Sequence, residues 1–222
     1  MDLPPAITRT NLSYGQVTEV GDPDGKYRVK VKIHSHFDAE HQAYELWARV
    51  AVPVGGDGYG MAFMPDVGDE VVIGFIAGDM NRPVVIGSLY HGGAMPADEP
   101  VDGDAVKRWT ITGHQGTRVA IDESESPTVT LETPGGVKVE ITDDGSKVTC
   151  TNGSSTVTLE PAEVSVETGG TVKVQASQVE VTSPMVTIDA ALAKFSGVVK
   201  CDVLQTNTVI STTYTPGAGN VW

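Results

Sequence analysis

The second half of this chain repeats one short phrase. After Gly136 it reads VKVEIT, KVTCT, TVTLE, VSVE, VKVQ, VEVT and VTID. The apolar members are Val137/Val139/Ile141, Val148/Cys150, Val157/Leu159, Val164/Val166, Val172/Val174, Val179/Val181 and Val186/Ile188. Strict alternation sets them on one side of an extended strand and Thr, Glu, Lys, Gln and Ser on the other. The phrases begin at 137, 148, 157, 164, 172, 179 and 186, so the step settles near seven or eight residues. Strands this short cannot bury an apolar face alone. They must stack on neighbours, within one solenoid or between chains. The pattern predicts a long, stiff, β-rich rod.

Composition narrows the partners. Hydrophobic residues make up 40% of 222, and the Val- and Thr-rich second half suits strands, with little helix expected. A formal net charge of -14 argues against nucleic acid, which demands clustered Lys and Arg, and against adhesion to anionic lipid. Cys150 and Cys201 match no metal or redox spacing and are expected as small buried apolar groups. The opening MDLPPAITRT lacks the apolar core of a signal peptide, and no apolar run is long enough to span a bilayer. Synthesis in the cytoplasm without a signal peptide is the expectation.

The first half is organised differently. YGQVTEV (14–20) and YRVKVKI (27–33) flank a turn rich in Gly, Pro and Asp, which reads as a hairpin. A polar loop, HSHFDAEHQ (34–42), leads to YELWARVAVP, a Gly-rich turn at 55–60, MAFMP, and two strands around the turn Gly78 to Pro83. Five or six strands with such turns predict a small closed barrel of OB type. HGGAMPADEPVDGDA (91–105) reads as a linker. New strands follow at Trp109–Ile111, 117–122 and 128–132.

Residues 47–92 carry an ordered set of motifs: Trp47/Arg49/Val50, Gly55 to Gly60, Pro65/Gly68/Asp69/Glu70/Val71, and Gly78/Asp79/Pro83/Gly87. In this order they resemble the OB-fold domain of the VgrG and phage baseplate assembly protein V spike family. TGHQGTRVAIDE (112–123) is similar to the stretch that leads from that family's barrel into its β-helix. The resemblance implies an all-β protein: an N-terminal OB-fold barrel followed by an intertwined trimeric β-helix, a triangular β-prism. The domains expected are the collar barrel at 1–92, a linker at 93–108, the spike at 109–212 and a tip at 213–222. It implies a homotrimeric, non-enzymatic puncturing needle of a contractile tail or injection system. Its barrels would dock on a baseplate hub and its tip would carry a PAAR-type protein or an effector, with transient contact to the target membrane. Larger relatives carry a long hub region before the barrel, and some phage spikes carry a muramidase domain after it. Only about a dozen residues precede the barrel here, and a short linker follows it, so a separate hub and no such enzyme are expected.

Chemistry-bearing residues are few. His34 and His36, with Asp38, Glu40 and His41 nearby, form the one H-x-H candidate for a metal, and the solvated-loop reading is preferred. His91 and His114 stand alone, and the acidic GDE and ADEP runs sit in turns. No nucleophile elbow, phosphate loop or Cys/His pairing occurs, so no catalytic residue, cofactor or metal is assigned. At the C-terminus alternation breaks into TTYTPGAGNVW. Tyr214, Pro216, Gly217, Gly219 and Trp222 are the candidate tip-docking residues, since Pro ends strand pairing and an aromatic chain end offers an anchor. Two other function classes remain open at this point. One is a glycan-binding barrel on a β-stalk; the other is a metal-dependent hydrolase using the His34/His36 loop.

Overall fold

The computed structural model of the chain describes residues 12–37 and 43–213. It divides into two units, Met1–Thr171 and Val172–Trp222.

The first unit opens with β1 (Leu12–Glu19), β2 (Arg28–Phe37) and β3 (Ala43–Val50). A Gly-rich arm comes next, with the two-residue strands β4 (Gly55–Gly56) and β5 (Tyr59–Gly60), and then β6 (Glu70–Phe75) and β7 (Pro83–Ser88). Strands β1, β2, β3, β7 and β6 close into a barrel in that order. All contacts are antiparallel except β3 with β7, which run parallel through Arg49↔Val84 and Val50↔Val85. Closure leaves no free edge among these five strands.

Period-two alternation explains the interior. Val29, Val31 and Ile33 of β2 and Val71 and Ile73 of β6 are fully buried, joined by Val17, Ala48, Phe75 and Val85. Each such aliphatic side chain contributes roughly 1.5–3 kcal/mol on burial. Gly15 is required by the packing: a Cβ there would lie 2.6 Å from the Lys32 carbonyl oxygen and 2.7 Å from Ile73 Cδ1. The β1–β2 turn is tied by one carboxylate. Asp22 accepts hydrogen bonds from the backbone amides of Asp24, Lys26 and Arg28 and from the Arg28 guanidinium at 2.8 and 2.9 Å.

The structure extends or revises several expectations. His34 to Phe37 continue β2 rather than opening a loop. The 93–108 segment holds a small hairpin of β8 (Val101–Asp102) and β9 (Ala105–Val106). It is also fastened to the strands that succeed it: Asp98 faces Arg118 at 3.3 Å, and the Glu99 carbonyl accepts a bond from Arg108.

Seven strands then form an antiparallel meander in chain order. They are β10 (Arg108–Thr112), β11 (Arg118–Asp122), β12 (Thr128–Glu132), β13 (Lys138–Thr142), β14 (Lys147–Thr151), β15 (Ser155–Glu160) and β16 (Glu163–Thr168). Several of the reversals use left-handed glycine, as at Gly136 (φ 82°) and Gly153 (φ 86°), where a Cβ would be strained.

In the second unit the alternation continues but pairing stops. No strand occurs among the described residues after Thr168, although Val172/Val174, Val179/Val181 and Val186/Ile188 repeat the earlier phrase. The turn chemistry changes at the same place. After Gly169-Gly170 no glycine appears until Gly197, and the connectors QASQ (175–178) and TSPM (182–185) carry no Gly, Asn or Asp. These connectors offer no residue suited to positive φ, although lack of glycine alone does not bar pairing, since β15 and β16 reverse through Glu160-Pro161-Ala162-Glu163.

Two outcomes test this account. Ile33→Ala empties part of the barrel core and should lower stability by about 2–5 kcal/mol in denaturant unfolding followed by tryptophan fluorescence. The second concerns acid. The Arg28 guanidinium, above all, holds the Asp22 carboxyl well below the usual carboxylate range. An unfolded Asp titrates at about pH 4, so the stability from this clamp is present above that pH and lost as pH falls below it. Asp22→Asn should destabilise the protein at neutral pH and flatten the fall in melting temperature on acidification below about pH 4.

Candidate assembly surfaces

Cross-strand register turns the meander into a two-faced plate. One row of neighbours runs Trp109, Ile121, Val129, Ile141, Val148, Leu159, Val164. A second runs Ile111, Val119, Leu131, Val139, Cys150, Val157, Val166. Fourteen apolar side chains, two per strand, thus share one face across seven strands. Nothing among the described residues covers them. Trp109, Ile111, Ile141 and Leu159 are 44–54% exposed, against at most 8% for the barrel core. A contiguous apolar area of this kind marks an interaction surface.

The opposite face is polar and laced with ion pairs. Thr110, Ala120, Thr130, Glu140, Thr149, Thr158 and Ser165 form its central row. Arg118 joins Asp98 and Glu132, the latter at 3.2 Å. Arg108 donates to Asp122 at 2.7 Å and to the Ser124 hydroxyl, which itself donates to Asp122. The Ser124 hydroxyl first, and then Arg108, hold the Asp122 carboxyl far below its ordinary range. These groups answer one another and leave the polar face suited to water.

On the barrel, the Asp22 clamp has a second consequence. Because it grips the amides of both Lys26 and Arg28, Tyr27 between them is held at φ 55° and stands 86% exposed. A left-handed, non-glycine residue costs on the order of 1–3 kcal/mol, and such strain concentrates at functional positions. Arg28 also lies over the Trp47 ring, 5.8 Å from its centroid.

The residues singled out from sequence separate clearly. Tyr214, Pro216, Gly217, Gly219 and Trp222 lie outside the described residues, as do Asp38, Glu40 and His41. His34 is exposed on β2, the strand that also contains His36. Among the described residues no group of three His, Cys, Asp or Glu side chains is placed to hold a metal. His91 Nδ1 accepts the Gly93 amide at 3.1 Å within its own turn, and His114 Nε2 lies 3.2 Å from an Asp66 carboxylate oxygen. Cys150 and Cys201 are both exposed rather than buried; the apolar row that contains Cys150 has no cover among the described residues. Among the described residues no helix is long and apolar enough to cross a membrane. Sequence reading missed the Arg108–Asp122–Ser124 network, which depends on register. It also missed the Asp22–Arg28 clamp, although Gly-Asp-Pro-Asp-Gly is a turn in which Asx capping is common.

Comparison with known proteins bears on the barrel. Residues 13–90 match the family model for the type VI secretion system/phage-baseplate injector OB domain. The type VI secretion system spike protein VgrG1a of Pseudomonas aeruginosa is 35% identical over 65 residues, covering 28% of this chain and 10% of that protein. VgrG5 of the same organism is 43% identical over 65 residues, 28% of this chain and 8% of the relative. The actin cross-linking toxin VgrG1 of Vibrio cholerae is 34% identical over 70 residues, 30% of this chain and 6% of the toxin. The matched stretch is thus a tenth or less of each of these relatives. Fold, motif order and match agree that the barrel, residues 13–90, is similar to the injector OB domain of type VI secretion systems and phage baseplates, and the relatives that share this stretch are VgrG spike proteins.

Proposed function

We propose that three copies of this chain form the central spike of a contractile tail or injection system. The observation that carries this reading is the plate of fourteen apolar side chains, two on each of seven strands, left open in a single chain. Three such plates facing a common axis make a triangular prism with a dry interior and the Thr- and Glu-rich faces in water. A trimer carries three times the chain's net charge of -14, and the apolar interface must outweigh that repulsion. Burial of such side chains at roughly 1.5–3 kcal/mol each is ample for this.

The second unit is read as the distal part of the same prism. Its phrases keep the alternation, lack hairpin turns and have no strand partners among the described residues. They are therefore suited to winding around the two other copies, each phrase pairing with a neighbour's. Function is mechanical: contraction pushes a narrow, stiff rod into a target envelope. The barrels attach it to a hub. The 213–222 segment, with Tyr214, Pro216, Gly217, Gly219 and Trp222, receives a PAAR-type tip protein or effector, as the sequence suggests.

The decisive measurement is mass in solution. Light scattering should return three times the 23.3 kDa of one chain, and a stable monomer would sink the spike reading. The trimer should also persist in sodium dodecyl sulfate without heating, since intertwined chains separate slowly. Thiol labelling supplies a local test. Cys150 is exposed in one chain but would face the axis of the prism, so a maleimide should modify it slowly in the native protein and quickly after denaturation. Fast labelling of the native protein at Cys150 argues against three inward-facing plates.

A further inference from the structure

Four of the chain's fifteen Lys and Arg side chains converge on one part of the barrel wall. Lys26, Arg28, Arg49 and Arg82 line a groove of about 360 Å³ around Trp47. Lys26 and Arg49 also line an adjoining space of about 620 Å³ under the Gly-rich arm, bounded by Tyr27, Tyr59, Met61 and Met64. The two spaces share Lys26 and Arg49 in their walls and are taken together as a trough, the first lined by cations and the second mainly by apolar groups.

Three observations mark this trough as built for a partner. Arg28 and Arg49 stand directly opposite one another on β2 and β3, a like-charge juxtaposition that strands normally avoid. Arg28 is answered by Asp22 and Asp24, Lys26 by Asp24, and Arg82 by Asp79 at 3.7 Å. Arg49 forms no ion pair among the described residues. Secondly, the strained Tyr27 is held out at the rim by backbone hydrogen bonds on both sides. Thirdly, Tyr, Trp, Arg and Met are the residue types that dominate the centres of protein interfaces. The aspartates set among the cations, on a chain of net charge -14, disfavour a polyanion such as nucleic acid.

We propose that this trough is where the barrel docks its baseplate hub. The hub would offer a segment with a carboxylate for Arg49 and an apolar or aromatic side chain for the space between Tyr27, Tyr59 and Met61. The proposal rests on the spike reading above and specifies the surface and the chemistry of its attachment.

The test is affinity for the hub protein of the same particle, measured with the full-length chain. Arg49→Glu and Tyr27→Gly should each weaken hub binding at least tenfold. The Arg49→Glu defect should shrink at high salt, as a charge contact does. Tyr27→Gly separates docking from folding: relief of the left-handed strain should leave the melting temperature at or above that of the parent while binding falls. If both variants bind the hub like the parent, the trough is not the dock, while attachment through the barrels stands. Absence of hub binding by the parent protein removes the hub reading and this proposal together. A change in solution mass, with hub affinity intact, would assign the trough to a second copy of the chain and overturn the proposal.

Discussion

Everything beyond the barrel depends on an apolar sheet face that no described residue covers. A barrel of five strands solves the burial problem by curling on itself, and Val29, Val31, Ile33, Val71 and Ile73 vanish from solvent. The seven-stranded meander does not curl. Its two apolar rows stay open from Trp109 and Ile111 to Val164 and Val166. The same alternation that completes the barrel therefore leaves the sheet's apolar face open among the described residues, and in the proposed trimer this face is where the chains would meet.

Polar detail fixes turns and connections. Asp22, Arg28 and Tyr27 shape one turn of the barrel, and Asp98, Arg118 and Glu132 fasten the connecting segment to the sheet. A segment that reads as a linker from its Gly, Pro and acid content is thus tied to the sheet by the Asp98–Arg118 ion pair and by the Glu99 carbonyl, which accepts from Arg108.

The change at Gly169-Gly170 separates two ways of using one repeat. Before it, four of the six reversals carry a glycine at positive φ, and each strand finds its partner in its own sequence neighbour. After it, connectors such as QASQ and TSPM offer no such reversal. Apolar periodicity alone does not distinguish these regimes, because Val157/Leu159 and Val179/Val181 look alike.

Much was legible in the sequence, and for a physical reason. Strand identity follows from period two, which is local, so β12 falls on TVTLE and the barrel strands fall within a few residues of their expected places. The ordered Trp47–Gly87 motifs likewise mark turns and close packing that are local requirements, and they identified the barrel family. What only the tertiary structure decided is which strands meet. Register aligned fourteen apolar groups into two rows, brought Arg108 to Asp122 and set Arg28 opposite Arg49. It also exposed Cys150, which composition had placed inside. Alternation tells each side chain which face it shares with its own strand; only pairing tells it which neighbours that face has, and whether anything covers it.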